Sequence, residues 1–226
     1  MLIGRIHHSE PMMQKWYGCV DMNPAESVLH YVADPMCSWC WGFKDARDEI
    51  FKAIGEDVRL EFVMGGLARD SDEPMPEETK SYVKEAWHQV SARTGAEFNW
   101  DFWENCQPYR STYPACRAVI AAGDKGPEMF DRIQHAYYLE AKNPSEIEVL
   151  CTLAVELDID EEKFRADMAS IEVEAELQAG FNTRRRIGAY SFPSLVLEAD
   201  GKVQFLCEGY SSAQEVLQKW NETDQN

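Results

Sequence analysis

The chain is short of positive charge. Against 40 Asp and Glu it sets 22 Lys and Arg, a formal net charge of −18. Nucleic-acid binding rests on cationic contacts to phosphate, so this balance argues against nucleic acid as a partner and equally against an anionic membrane surface. Long apolar runs are missing too: none approaches the roughly 20 residues that a membrane-spanning helix needs. The N-terminal stretch Met1 to Glu10 lacks the apolar segment of a secretory leader, which points to a reducing cytoplasm. Seven cysteines in 226 residues, an odd number, do not make a disulfide scaffold. A second Cys-x-x-Cys or a His-x-His is absent, so the one cysteine pair present lacks the other two ligands of a closed zinc site. Neither a metal nor a cofactor is expected.

What is present is the stretch Asp34-Pro35-Met36-Cys37-Ser38-Trp39-Cys40-Trp41-Gly42-Phe43. It follows a short apolar run (Val28, Leu29, Tyr31, Val32) and precedes a helical pattern with Phe43, Ala46, Ile50, Phe51 and Ile54 on one face. A strand entering Cys-x-x-Cys and then a helix is the arrangement of a redox dithiol. The free N–H groups and partial positive charge of a helix start favour a thiolate at the first cysteine. The second lies one turn on, within reach of a mixed disulfide formed on the first.

Taken in order, residues 1–26 show no clean period and read as a tail or packed extension. Met22 is an alternative start, His7-His8 reads as solvated, and Cys19 is uninformative. Ser27 to Ala33 reads as a fully buried strand. One helix runs from the cysteines to about Ile54, stopped by Gly55, and Val58 to Met64 alternates as a second strand closed by Gly65-Gly66. Residues 67–170 then turn helical without a strand signal: Glu77 to Thr94, Pro114 to Ala122, Pro127 to Ala141, a helix capped by Asn143 with Pro144 as its first residue, and Asp160 to Ala169. Phe98 to Trp103 reads as an aromatic turn. A helix from Ile171 to Arg186 leads to Phe192-Pro193 and the strand Ser194 to Glu198. Asp200-Gly201 is a hairpin turn to the strand Val203 to Cys207, and Ser212 with Glu215 makes a capping box for a last helix. Segments 27–66 and 171–226 together hold about 100 residues, the size of one compact domain interrupted by the helical block.

The stretch Asp34 to Phe43, together with Ser111-Thr112-Tyr113-Pro114-Ala115-Cys116-Arg117-Ala118-Val119 and Ser191-Phe192-Pro193-Ser194-Leu195-Val196-Leu197, resembles the DsbA-like branch of the thioredoxin superfamily, closest to a subgroup described as predicted protein-disulfide isomerases. The resemblance runs from about Ser27 to the C-terminus. It implies an α/β, thioredoxin-like fold interrupted by an all-helical insertion domain, and it implies that Pro193 is a cis-proline facing the dithiol. With that geometry the backbone of Phe192 pairs with an extended substrate as an added strand. Two positions depart from the pattern. Where thioredoxins carry a buried carboxylate six residues before the first cysteine, this chain has Tyr31, and Asp34 is the nearer acid. Ser38-Trp39 between the cysteines is neither the Gly-Pro of thioredoxin nor the Pro-His of DsbA, so no redox potential carries over.

The expected chemistry is thiol–disulfide exchange, with Cys37 forming the mixed disulfide and Cys40 resolving it. Lowering a thiol pKa from about 8.5 to about 7 raises its thiolate about fifteenfold, and weaker nucleophilicity takes back about fivefold. The larger effect is a better leaving group, which suits exchange in both directions. Met36 and Trp39 are expected to grip substrate beside Phe192 and Pro193, whereas Trp41 reads as core packing. Substrates are then disulfide-containing proteins or peptides, with glutathione as a further candidate. The competing function is a glutathione-dependent transferase or isomerase of small molecules, as in kappa-class relatives, which typically present serine where Cys37 stands. Cys116, Cys151 and Cys207 read as inert core, and a Cys106–Cys116 bridge is not expected in a cytosolic protein. Arg184-Arg185-Arg186 reads as cations favouring a helix C-terminus, with an anion contact near the Pro193 loop as its functional alternative. Trp87-His88 could line a groove, a satisfied surface or core histidine being the plainer reading.

Overall fold

The structure, a computed structural model, describes residues 27–55 and 58–223. The expectations for residues 1–26, including Met22, His7-His8 and Cys19, lie outside the described residues.

Strand β1 (Val28–Ala33) is buried along its whole length because it lies inside the sheet. It pairs in parallel with β2 (Arg59–Met64) and antiparallel with β3 (Ser194–Ala199), and β3 pairs antiparallel with β4 (Lys202–Glu208), giving the order β2-β1-β3-β4. Parallel neighbours need a crossover, and the segment after the cysteines supplies it. The single helix expected there is two, α1 (Ser38–Gly42) and α2 (Lys44–Ile54), meeting at Phe43. The reason is tertiary. Gly42 lies so close to α3 (Glu77–Thr94) that a Cβ there would run into Val90 and Thr94.

Between β2 and β3 the described chain is helical: α3, α4 (Phe102–Asn105), α5 (Tyr113–Ala121), α6 (Gly126–Leu139), α7 (Ile147–Glu156), α8 (Glu161–Met168) and α9 (Ile171–Arg186). The short helix α4 closes the aromatic stretch read as a plain turn. Asn143 does not cap α7: its side chain accepts from Ser145 N (3.2 Å) in a turn, and α7 starts only after Glu146. Asp160 does cap α8, accepting from Lys163 N at 2.8 Å. Asp200 and Gly201, both at positive φ, turn β3 into β4. The capping box before α10 (Ala213–Thr223) closes with Ser212 N on Glu215 Oε2 (2.8 Å) and Glu215 N on Ser212 Oγ (3.3 Å).

One apolar core runs through both parts. Leu29 and Tyr31 of β1, with Phe43 and Ile50, pack into the same cluster as Phe130 and Ile133 of α6, Leu150 of α7 and Leu177 of α9. Arg47, only 4% exposed, ties α2 to α6 through two bonds to Asp131 (2.8 and 3.0 Å). An aromatic cluster of Trp87, Phe102, Tyr137 and Tyr138 joins α3, α4 and α6, and Met36 and Trp41 of the cysteine turn pack against it. The dithiol turn is thus clamped between the sheet and the inserted helices.

Candidate active site

At the end of β1 the chain reverses tightly, Cys37 N donating to Asp34 O (3.0 Å). Cys37 is the extended residue that opens α1, and Trp41 N donates back to its carbonyl (3.1 Å). The two sulfurs end in different surroundings. Cys37 is 7% exposed and Cys40 fully buried. The Cys37 Sγ lies 3.7 Å from Phe192 O and borders a cleft of about 320 Å³. The cleft is lined by Met36 and Trp39 of the cysteine turn, by Tyr82, Val83 and Trp87 of α3, and by Tyr109–Thr112 and Tyr190–Phe192. The Phe192–Pro193 peptide bond is cis. Pro193 O accepts from Gly209 N (2.8 Å) and Ser191 O from Ser194 Oγ (2.8 Å), which hold this loop against the dithiol. The Phe192 ring fits because Gly65 has no side chain, since a Cβ there would lie only 2.4 Å from two ring carbons.

The tryptophans divide. Trp39 is half-buried, borders the cleft and leans toward Tyr210, ring centroids 6.2 Å apart. Trp41 turns away, stacks on Tyr138 at 5.5 Å and donates Nε1 to Glu97 O (3.0 Å). Trp87 is fully buried yet reaches the cleft wall, while its neighbour His88 stacks on Trp100.

Behind the dithiol lies a polar knot that no local pattern announces. Asp34 is fully buried, and its carboxylate accepts from Leu67 N (2.7 Å), Thr112 Oγ1 (2.7 Å) and Met36 N (2.9 Å), with Cys116 Sγ at 3.6 Å. Burial raises the Asp34 pKa, and these donors oppose the rise. Burial also pushes the Cys40 thiol well above its ordinary range, and the adjoining Cys37 sulfur adds to this. Cys116 is pushed well up by burial first and by the Asp34 charge second. The reading of Cys116 as core holds, since it is fully buried in the main apolar cluster, and its sulfur also borders the Asp34 carboxylate. Tyr31, in the place of the missing carboxylate, is buried with its hydroxyl unpartnered among the described residues, and desolvation drives its pKa well up.

The other singled-out residues stand apart. Cys106 and Cys116 are both free, and Cys106 Sγ faces Ala141 O (3.0 Å). Cys151 and Cys207 are buried, burial pushing Cys207 up to about 11. Arg186 pairs with Glu198 (2.5 Å), and Arg184 lies over the Phe192 ring, 5.6 Å from its centroid. Sequence reading missed His30, buried on the opposite sheet face against Glu198 (2.8 Å), and Glu176, whose pKa burial lifts to about 7. Among the described residues no group of three or more His, Cys, Asp or Glu is placed to hold a metal ion.

A dithiol opening a helix beside a cis-proline loop, on a four-stranded sheet interrupted by helices, defines the thioredoxin class of fold in its DsbA-like form. The family model described as "Thioredoxin" matches residues 30–216, and the chain belongs to that family. Among solved structures it is similar to a candidate protein disulfide isomerase from Nitrosomonas europaea, at 30% identity and a TM-score of 0.79 over 88% of this chain and 98% of that one. It is also similar to the cytosolic disulfide reductase DsbM from Pseudomonas aeruginosa, at 26% identity and a TM-score of 0.73 over 88% of this chain and 100% of that one. DsbM has also been solved with GSH. The ClpXP adapter protein SpxH of Bacillus subtilis (strain 168) is 25% identical over 147 residues, 63% of this chain, which spans about half (48%) of SpxH.

Proposed function

We propose that the chain is a thiol–disulfide oxidoreductase in which Cys37 exchanges with substrate and Cys40 resolves. The observation that carries this reading is the asymmetry of the pair: Cys37 borders the cleft beside Phe192 O, whereas Cys40 is sealed behind it. The Cys37 thiolate attacks one sulfur of a disulfide, forming a mixed disulfide and expelling the other sulfur as thiolate. Cys40 then loses its proton, attacks the Cys37 sulfur and releases the second substrate thiolate. Two electrons have passed to the substrate, and the protein holds a Cys37–Cys40 disulfide. The buried Cys40 thiol has little reason to ionise until a mixed disulfide sits beside it, which protects the resting protein.

Phe192 and Pro193 offer backbone to an extended disulfide-bearing peptide, and Met36 and Trp39 supply apolar grip. The similarity to DsbM, named as a cytosolic disulfide reductase, supports reduction as the direction and the cytosol as the location. Its complex with GSH supports glutathione as an exchange partner. The test is Cys40→Ser, which leaves a mixed disulfide without a resolving thiol. Polypeptide trapped on Cys37 supports this reading. A glutathione adduct that instead turns over small electrophiles supports a glutathione transferase, and no adduct of either kind overturns both.

A further inference from the structure

The charge of the cleft is opposite to that of the protein. Although the chain carries 40 acidic residues, no Asp or Glu among the described residues lines the cleft. Arg110 is the one charged side chain that does so among the described residues. It is exposed, and none of the ion pairs or hydrogen bonds among the described residues engages its guanidinium. Among the described residues Arg47, Arg59, Arg117, Arg132, Arg165 and Arg186 are committed to carboxylates.

The backbone on both sides of Arg110 is fixed. Tyr109 bridges to Pro74, and Pro108 O accepts from Met75 N (2.8 Å). On the other side Ser111 O accepts from Ser145 Oγ (2.8 Å), and Thr112 N donates to Ala68 O (3.0 Å). The unpaired cation is thus presented at the rim from an anchored segment, over walls that are otherwise apolar or hydroxylic.

We infer that Arg110 is a specificity-determining residue that receives a carboxylate of the substrate, so that the site selects disulfides carrying an acidic group close to the reacting sulfur. This deepens the proposed function and rests on it. The net charge alone predicts the reverse preference, because a field of −18 attracts cations and repels anions. At about 0.15 M salt that field is screened within about 8 Å, whereas Arg110 acts at contact.

The test uses three small disulfides as probes: dithiodipropionate (anionic), bis(2-hydroxyethyl) disulfide (neutral) and cystamine (cationic). Reduced full-length protein is mixed with excess probe at about 0.15 M salt, and the rate at which its mass falls by two hydrogens is read by intact mass spectrometry. Each rate is divided by that for the neutral probe, which removes differences in folded fraction. An exposed ion pair is worth up to about fivefold, so R110A should lower the anionic-to-cationic ratio about fivefold, R110E about twenty-fivefold, and R110K should keep most of it. Ratios within about twofold of the wild type in both R110A and R110E, with oxidation still dependent on Cys37, overturn the assignment of Arg110 alone. Loss of two hydrogens as fast in Cys37→Ser as in the wild type overturns both Arg110 and the reading of the site.

Discussion

The front and the back of the dithiol turn meet in the same ten residues, Asp34 to Phe43, and differ in almost every property. In front, Cys37 meets a cleft of about 320 Å³ with apolar walls and one cation. Behind, Cys40 is fully buried near Asp34, which holds Thr112 and Cys116 from a distant part of the chain. The difference teaches how a fold makes two chemically identical thiols unequal. The front is assembled by what is left out: the missing side chain of Gly65 admits the Phe192 ring. The back is assembled by polar groups brought in from the helical insertion, which fix the turn that exposes Cys37.

The largest effect comes from breaking the front. Cys37→Ser is expected to lower disulfide exchange by about a hundredfold or more, since among the described residues no second thiol lines the cleft. Cys40→Ser should instead stop after the first half-reaction, leaving one mixed disulfide per chain; release of thiol from a chromogenic disulfide separates the two outcomes.

Breaking the back should act first on stability. Asp34→Ala leaves the N–H groups of Leu67 and Met36 without their acceptor, while the Thr112 hydroxyl keeps only its longer bond to Ala68 O (3.3 Å). Orphaned buried donors cost about 1–3 kcal/mol each, part of it recovered by relaxation, so a loss of about 3 kcal/mol is expected in denaturant titration. The pH dependence has a definite sign. The folded Asp34 pKa lies above the ordinary 3.8 of a free Asp carboxyl, so the native state binds this proton more tightly than the unfolded chain does. Its contribution is therefore fully present below pH 3.8 and is lost as pH rises through the folded pKa. Asp34→Asn removes that slope, and titration of both proteins from pH 4 upward should show the wild type losing ground relative to the variant.

Glu176 sharpens the contrast because it is a half-buried acid without a knot. Among the described residues nothing hydrogen-bonds to its buried Oε1, and desolvation alone lifts its pKa to about 7. The sign is the same: stability is lost as pH rises from the ordinary carboxyl range through about 7. Glu176→Gln should stabilise the protein at pH 8 by about 1 kcal/mol after allowance for solvent screening, with no gain at pH 4. The smallest effect is expected at Trp41, which lies outside the cleft lining. Trp41→Phe keeps a ring over Tyr138 and gives up only the Nε1 bond to Glu97 O, a loss of about 0.5–1 kcal/mol in thermal unfolding.

The features legible in the sequence are those written locally. The apolar run Val28 to Val32, the glycines ending α2 and α3, Asp200-Gly201 at positive φ and the Ser212–Glu215 box each carry their own short-range signal. The cysteine pair was equally plain. What failed to show depends on contacts between distant segments. The break at Phe43 follows from the close approach of α3 to Gly42, and the Asp34 knot needs Leu67 and Thr112, which lie 33 and 78 residues further along. Asn143-Pro144 carried a true local signal for a turn but not for a helix start, because Asn143 bonds within the turn ahead of α7. Asp34 itself was visible as the nearer acid; its partners were not.

The most direct measurement of the front–back asymmetry is site-resolved alkylation of the fully reduced native protein, followed by peptide mapping over time. The account predicts that iodoacetamide labels Cys37 and the partly exposed Cys106, while Cys40 and Cys116 are modified only after unfolding. Labelling of Cys40 in the native protein at a rate matching Cys37 would contradict it.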